Sequence, residues 1–311
     1  MLVEAMATAF LLALFAAAIP LLLAAVGETV GEQSGVLNVG LEGVLLVGGY
    51  SGFAAALSSG SLWLGFACGA LAGAALASIM AVLSVWLGVN QIVVGIGLTL
   101  AGTGVSSMLY DHVYAASRPR LGRAPGVSIP WLTDLPVAGP VLFGQPGMFY
   151  LALVLAGLTA WWLRRTGPGL RLRAAGQRPA SLDAAGGSVV RTRALAVLFG
   201  GSAAGLGGAY LALVSAGTFT PGMTHGLGFL AIVVTMLARG RMRWVIAISL
   251  VYGLFVATGT ALQLTSVAVP NDMITMAPFI AVLVALTFFG GAGGRSALPP
   301  ALATPYVRGA R

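Results

Sequence analysis

The stretch Gly31-Glu-Gln-Ser-Gly-Val-Leu-Asn-Val-Gly-Leu-Glu-Gly43 sets two carboxylates and an asparagine between strongly apolar segments, in a chain with only 8 acidic residues. A charged side chain in hydrocarbon costs at least about 2.5 kcal/mol, so a membrane segment seldom keeps one without use. Glu28 and Glu32 are four residues apart, as are Asn38 and Glu42, so each pair shares a face if its stretch is helical. Gly35 and Gly40 interrupt a continuous helix through both pairs, which predicts a broken helix near residues 27–57. Such a break leaves unpaired backbone groups beside the carboxylates, tolerated only against protein or a water-filled cavity, and discontinuous helices of this kind build polar sites at mid-membrane. Two readings stay open on the residues alone. Glu32, Asn38 and Glu42 line a polar pathway, or Glu32 and Glu42 cap half-helix N-termini or pair with an arginine.

The rest of the chain supplies the solvent that makes these groups anomalous. It is 58% hydrophobic and 8% charged, with a mean hydropathy of +0.97, a composition no soluble fold could cover. A bilayer core takes about 20 residues of helix, and apolar runs near that length recur at roughly 5–26, 41–57, 62–88, 92–110, 148–163, 194–216, 228–238, 244–262 and 273–290. The 228–238 run is short; it borrows residues from the Gly226-Leu-Gly228 turn or enters the membrane without crossing. Ala, Leu and Gly content without period-2 alternation excludes a barrel, so the expectation is an all-α, polytopic transmembrane bundle of about 8 to 10 membrane segments in one domain over 1–311. The first run lacks a basic flank and reads as a retained helix instead of a signal sequence. The single cysteine, Cys68, lies in an apolar run and reads as packing.

All 16 basic residues are arginine and lie in the connections, which points to topology and away from nucleic acid. Arg164, Arg165, Arg171, Arg173, Arg178, Arg191 and Arg193 fall in one connection, so 164–193 is expected on the cytoplasmic side. Counting spans forward puts Arg239, Arg241 and Arg243 there too, with the 291–311 tail carrying Arg295, Arg308 and Arg311. Counting backward puts the 111–147 loop and the N-terminus outside. That loop is rich in Pro and Gly, with Tyr114 and Trp131 as candidate interface anchors. Small residues recur every four positions at Gly27, Gly31, Gly35; Gly48, Gly52, Ala56; Gly65, Gly69, Gly73, Ala77; and Gly201, Gly205, Ala209, the spacing that lets helix backbones approach closely.

Two further polar clusters stand out. Asn90-Gln91, followed by Gly95, Gly97 and Thr99, sits between apolar runs and would be ordinarily solvated if the turn lies at the surface. Phe219–Phe229 holds Phe219, Met223, Thr224 and His225 with Gly226 and Gly228; a lone His beside glycines is more often a hydrogen-bonded loop residue than a proton carrier. Enzyme signatures are missing: without lysine there is no phosphate loop, and neither metal-ligand spacing nor a Gly-x-Ser-x-Gly elbow occurs. In the basic connection, residues 180–185 after Pro179 suit a short helix. A surface helix there could receive motion from a soluble motor, although a simple positive connector explains the same residues.

Four elements together resemble the permease subunits of ABC importers for nucleosides and simple sugars, the branch that works with basic membrane lipoproteins. They are the 31–43 stretch; Asn90-Gln-Ile-Val-Val-Gly95; Gly169-Leu-Arg-Leu-Arg-Ala-Ala-Gly-Gln-Arg-Pro179 with Ser202-Ala-Ala-Gly-Leu-Gly-Gly-Ala209 after it; and the tail Pro300-Ala-Leu-Ala-Thr-Pro-Tyr306 with Arg308 and Arg311. The likeness covers nearly the whole chain. It implies that the region 170–187 carries a coupling helix, with Arg171, Arg173, Gly176, Arg178, Pro179, Ala180, Asp183, Ala184 and Gly186 meeting an ATPase. It also implies that Glu32, Asn38, Glu42, Asn90, Gln91, Thr99, Phe219, Thr224 and His225 line or brace the pathway. The implied partners are an ABC ATPase of two fused cassettes, a second related permease, an extracytoplasmic substrate-binding lipoprotein and the lipid bilayer, without nucleic acid. The chain itself would bind no cofactor, ATP being used by the ATPase, and would sit in a bacterial plasma membrane with its C-terminus in the cytoplasm. Two departures matter: Thr99 stands where such permeases usually have an asparagine, which bears on substrate, and Arg239-Gly-Arg-Met-Arg-Trp244 replaces a turn with Gly and Pro, which bears on ATPase docking. The rival class is an ion-coupled secondary transporter with the carboxylates as its ion site.

Overall fold

The computed structural model describes residues 2–127, 135–263 and 298–306, with isolated positions between 276 and 287. Ten α-helices occur among them: α1 (Leu2–Ser34), α2 (Leu41–Ser59), α3 (Leu62–Met80), α4 (Gln91–Tyr114), α5 (Gly147–Arg165), α6 (Gly167–Gln177), α7 (Pro179–Ala184), α8 (Val189–Tyr210), α9 (Leu227–Ala238) and α10 (Met242–Gln263). Seven are long and apolar enough to cross a membrane, α3 and α8 being extended by the π turns Ala81–Trp86 and Leu211–Ser215. The short run predicted at 228–238 is α9, only 12 residues. Of the ninth expected segment only isolated positions are described, and Trp131, Arg295, Arg308 and Arg311 lie outside the described residues.

α8 is the hub, packed on α1, α2 and α3. Lipid tails are as apolar as leucine, so close approach of backbones holds these helices together, and the small-residue stripes provide it. A Cβ at Gly205 would meet the Gly69 carbonyl and lie 3.0 Å from Gly73 Cα; at Gly27 it would lie 2.7 Å from the Gly200 carbonyl. The larger side chains fill what remains, with Phe53, Phe149 and Tyr210 fully buried. Leu100 and Met108 of α4 and Val251 and Leu254 of α10 face outward, as suits hydrocarbon.

The basic connection is more structured than a loop. α5 runs to Arg165, α6 and α7 follow, and Arg191 and Arg193 belong to α8, which corrects the bounds 164–193 read for the connection between spans. The short helix expected at 180–185 forms one residue earlier, with Pro179 in its first turn, where a missing N–H costs nothing. At the other end of the bundle, α4 extends through Tyr114, and the following connection ties to the chain after α8: Leu121 N–H donates to the Gly217 carbonyl at 2.8 Å, and Thr218 Oγ1 to the Pro119 carbonyl at 3.1 Å.

Glycine packing gives a graded test. Gly205→Val should lower the unfolding temperature of the detergent-solubilised protein, at an overpacking cost of about 1–3 kcal/mol. Gly97→Ala and Gly104→Ala, where an added Cβ meets nothing within 4 Å, should leave it unchanged or raised.

Candidate polar site at the helix break

α1 ends in a left-handed cap. Gly35 has φ +93°, its N–H donates to the Glu32 carbonyl at 2.9 Å, and Val36 N–H donates to the Gly31 carbonyl at 3.0 Å. This is the paired closure that lets a helix stop and turn, and it needs glycine at the positive φ. The chain then returns beside the helix it has left, because Asn38 N–H donates to Glu28 Oε1 at 3.0 Å, ten residues back. Residues 36–40 are not helical, and α2 begins at Leu41. The predicted break is therefore real, but Asn38 lies in it and shares no helical face with Glu42. Glu28 and Glu32 do share a face of α1, both 1% exposed.

The backbone of the break is hydrogen-bonded by side chains from three places. Gln91, 2% exposed at the start of α4, accepts from Leu37 N–H at 2.8 Å. Thr99 Oγ1, two turns further, donates to the Val39 carbonyl at 3.1 Å, and Asn38 Oδ1 accepts from Gly40 N–H at 3.0 Å. α4 can lie this close because Gly95 and Gly102 face Gly40 and Gly43 without side chains. Gln91 is thus buried and structural, contrary to the solvated reading, whereas Asn90 beside it is exposed and caps α4, accepting from Ile92 N–H at 2.9 Å and Val93 N–H at 3.3 Å.

Glu42 joins two helix beginnings. It lies in the first turn of α2 and also accepts three hydrogen bonds at the start of α9: from Thr224 Oγ1 at 2.5 Å, Gly226 N–H at 2.8 Å and Gly228 N–H at 2.7 Å. A helix N-terminus carries unpaired N–H groups and roughly half a positive charge, so one carboxylate serves both ends. A Cβ on Gly228 would collide with the Glu42 and Leu41 backbone, so glycine is required for this approach. α9 spans about 18 Å by its rise per residue. Its far end brings Gly240 against the Gln33 side chain, so the Glu42 junction sits about that deep from the Gly35 turn. Glu42 is accordingly a cap for a half-helix, one of the two open readings.

Glu32 faces α9 lower down. Its Oε1 accepts from Thr235 Oγ1 at 2.5 Å, while its Oε2 is buried without a hydrogen-bond partner among the described residues. Phe219 is fully buried and packs edge-on to Tyr50, with ring centroids 5.6 Å apart, and against Tyr110 at 5.5 Å. Tyr114, expected as an interface anchor, belongs to this aromatic group through Phe53 and Tyr50. His225 is exposed next to the Glu42 junction, held at φ +45° with its N–H on the Gly222 carbonyl at 3.1 Å. No group of three or more metal-binding side chains occurs among the described residues.

The expected coupling residues divide into three sets by burial. Arg171, Arg178, Ala180, Ala184 and Gly186 are exposed; Arg173, Pro179 and Asp183 are half-buried. Gly176 is buried under the helix break, where a Cβ would meet the Gln33 carbonyl and lie 2.9 Å from Gly35 N. Arg193, counted in the sequence as one more loop cation, is 2% exposed and donates to four backbone carbonyls: Ser34 at 3.1 Å, Ala175 at 3.2 Å, Thr304 at 2.7 Å and Ala301 at 3.4 Å. Glu28, Thr235 and Arg193 were not among the sequence-predicted site residues. The spacing of Glu28 to Glu32 was a usable signal; for Thr235 and Arg193 the sequence offers none.

Residues 10–286 match a family described as the permease component of branched-chain amino acid transport systems. The guanosine ABC transporter permease NupQ of Bacillus subtilis is 30% identical over 308 residues, covering 94% of this chain and 95% of its own length. The nucleoside ABC transporter permease NupC of Lactococcus lactis is 30% identical over 301 residues, 93% of each chain. TsgC13 of Haloferax volcanii, provisionally named as a glucose ABC transporter permease, is 36% identical over 271 residues, 86% of this chain and 80% of its own. No solved structure matches the chain.

Gln91→Ala leaves the part-buried Leu37 N–H without its partner, so it should destabilise the purified protein by about 1–3 kcal/mol. Asn90→Ala removes an exposed cap and should cost about 1 kcal/mol, a smaller fall in unfolding temperature read in the same assay.

Proposed function

We propose, from the premise that this chain belongs to the family of permease components of branched-chain amino acid transport systems, that its substrate is a nucleoside. As an ABC transporter permease it is a multi-pass membrane subunit and not an enzyme, working with an ATPase and a substrate-binding protein. The observation that carries the substrate is the pair of nucleoside relatives, each aligned over at least 93% of both chains. Glucose is the second reading, favoured by the higher identity to TsgC13.

In this account the ATPase carries two fused cassettes, a related second permease supplies the other half of the pore, and an external lipoprotein delivers the nucleoside. ATP binds to the ATPase and not to this chain. The host membrane is a bacterial plasma membrane. Arg164, Arg165, Arg171, Arg173 and Arg178 lie on and beside α6, at the end of the bundle where the Gly35 turn and residues 301–304 also gather. The excess of arginine supports a cytoplasmic position for that end and for the C-terminus.

Transport proceeds by alternating access. The exposed faces of α6 and α7, with Arg171, Arg178, Ala180 and Ala184, receive the movement of the ATPase. Asn38, Gln91, Thr99 and Glu42 shape the pathway by holding backbone, each already bonded to a main-chain group. His225, exposed beside the junction of α2 and α9, is then the member of the predicted set best placed to meet substrate in the pore.

Glu42→Ala strips three hydrogen bonds from the start of α9 and is expected to abolish nucleoside uptake while the ATPase still copurifies with the permease. Normal uptake by that variant would contradict the role given to the junction. Uptake in whole cells should survive an uncoupler and stop on ATP depletion; the reverse would restore the ion-coupled class. Competition between labelled guanosine and unlabelled nucleosides or glucose decides the substrate.

A further inference from the structure

Arg193 is out of place for a residue that only stabilises. Taking a guanidinium out of water costs several kcal/mol, and an apolar side chain of similar volume is often as stable or more so. Here the charge is met by carbonyls alone in its four recorded bonds, at the ends of two helices: Ser34 is the last residue of α1, and Ala175 lies in the last turn of α6. Helix C-termini carry unpaired carbonyls and partial negative charge, which is how they hold a cation without an acid. The two remaining bonds run to Ala301 and Thr304, and that segment is stitched to the same junction by Ala301 N–H on the Gly176 carbonyl at 3.0 Å and Ala303 N–H on the Gly35 carbonyl at 3.1 Å.

Four pieces therefore converge on one side chain: α8, which carries it; the end of α1; the end of α6; and the 301–304 segment. Gly35, where the chain reverses, lies against it, since a Cβ there would sit 2.7 Å from an Arg193 terminal nitrogen. α7 follows α6 after a single residue, so a push on the exposed face of α7 reaches this junction through α6. From the junction the non-helical segment leads through Asn38 and Gly40 to α2 and Glu42. Arg193 adds hydrogen bonds between the ends of α6 and α1 beside the contact that Gly176 makes under Gly35.

We propose that Arg193 is the positioning residue that couples α6 and α7 to the helix break, making the Gly35 turn and the 36–40 segment move with them. The proposal rests on the reading of the chain as an ATP-driven permease. It assigns no substrate contact to Arg193.

The test uses the whole transporter, this permease with its ATPase, second permease and binding protein, reconstituted in proteoliposomes, with ATP hydrolysis and uptake measured in the same vesicles. Arg193→Met should assemble and hydrolyse ATP while uptake falls, raising ATP consumed per substrate at least about tenfold, equivalent to about 1.4 kcal/mol of lost coupling. Arg193→Lys, which restores a cation with fewer donors, should recover part of the coupling. Proportional loss of both activities, or unchanged stoichiometry, would overturn the proposal. Should Arg193→Met fail to assemble, Gly176→Ala presses on the same junction from α6 and should uncouple in the same way; unchanged coupling there would also overturn it. Absence of nucleoside uptake by the unsubstituted complex would tell against the substrate alone; the same comparison is then made with glucose, and Arg193→Met should again raise the ATP consumed per substrate.

Discussion

A backbone amide or carbonyl without a partner is costly inside a membrane, and the whole arrangement around residues 35–40 follows from that constraint. The chain leaves helical geometry at Gly35 and regains it at Leu41, exposing groups that no helix can serve. Glu28, Asn38, Gln91, Thr99 and Arg193 each bond to one or more of those groups or to the helix end beside them. Four of these five would look like a substrate site if judged by residue type. Their hydrogen bonds show a brace.

The brace has a mechanical consequence. α2 and α9 both begin inside the bundle beside Glu42, which lies in the first turn of α2 and is hydrogen-bonded to the start of α9, so one carboxylate faces the positive ends of two helices. Broken helices whose N-termini meet at depth are a recurring device for building transport sites, because the backbone there is already free of the regular ladder. Here the segment before the second helix is non-helical and tied to α4 through Gln91 and Thr99. The segment after the Gly35 turn is thus tied to α4 as well as continuous with α2, and the glycines at 40, 43, 95 and 102 let these backbones lie as close neighbours.

Much of this was legible in the sequence. Hydropathy and run length identify the crossing helices, and the four-residue spacing of small residues identifies the faces by which α1, α2, α3 and α8 pack. Gly35 and Gly40 mark the break, since glycine in an apolar helix needs a reason. The partners were not legible, because hydrogen bonds such as Glu42 with Gly228 link residues 186 apart. Residue type also misled: Gln91 looked solvated beside Asn90, yet it starts a helix whose first turn lies against the break. Arg193 looked like one more cytoplasmic charge, since composition cannot distinguish a solvated arginine from one enclosed by helix ends.

The central claim is that the non-helical segment is held by hydrogen bonds and is not an open, water-filled gap. Hydrogen–deuterium exchange of the amides of Val36, Leu37, Asn38 and Gly40, in the purified protein, measures this directly. The account predicts that they exchange as slowly as the flanking turns of α1 and α2, since each has a stated acceptor. Exchange at the rate of an exposed loop would contradict it.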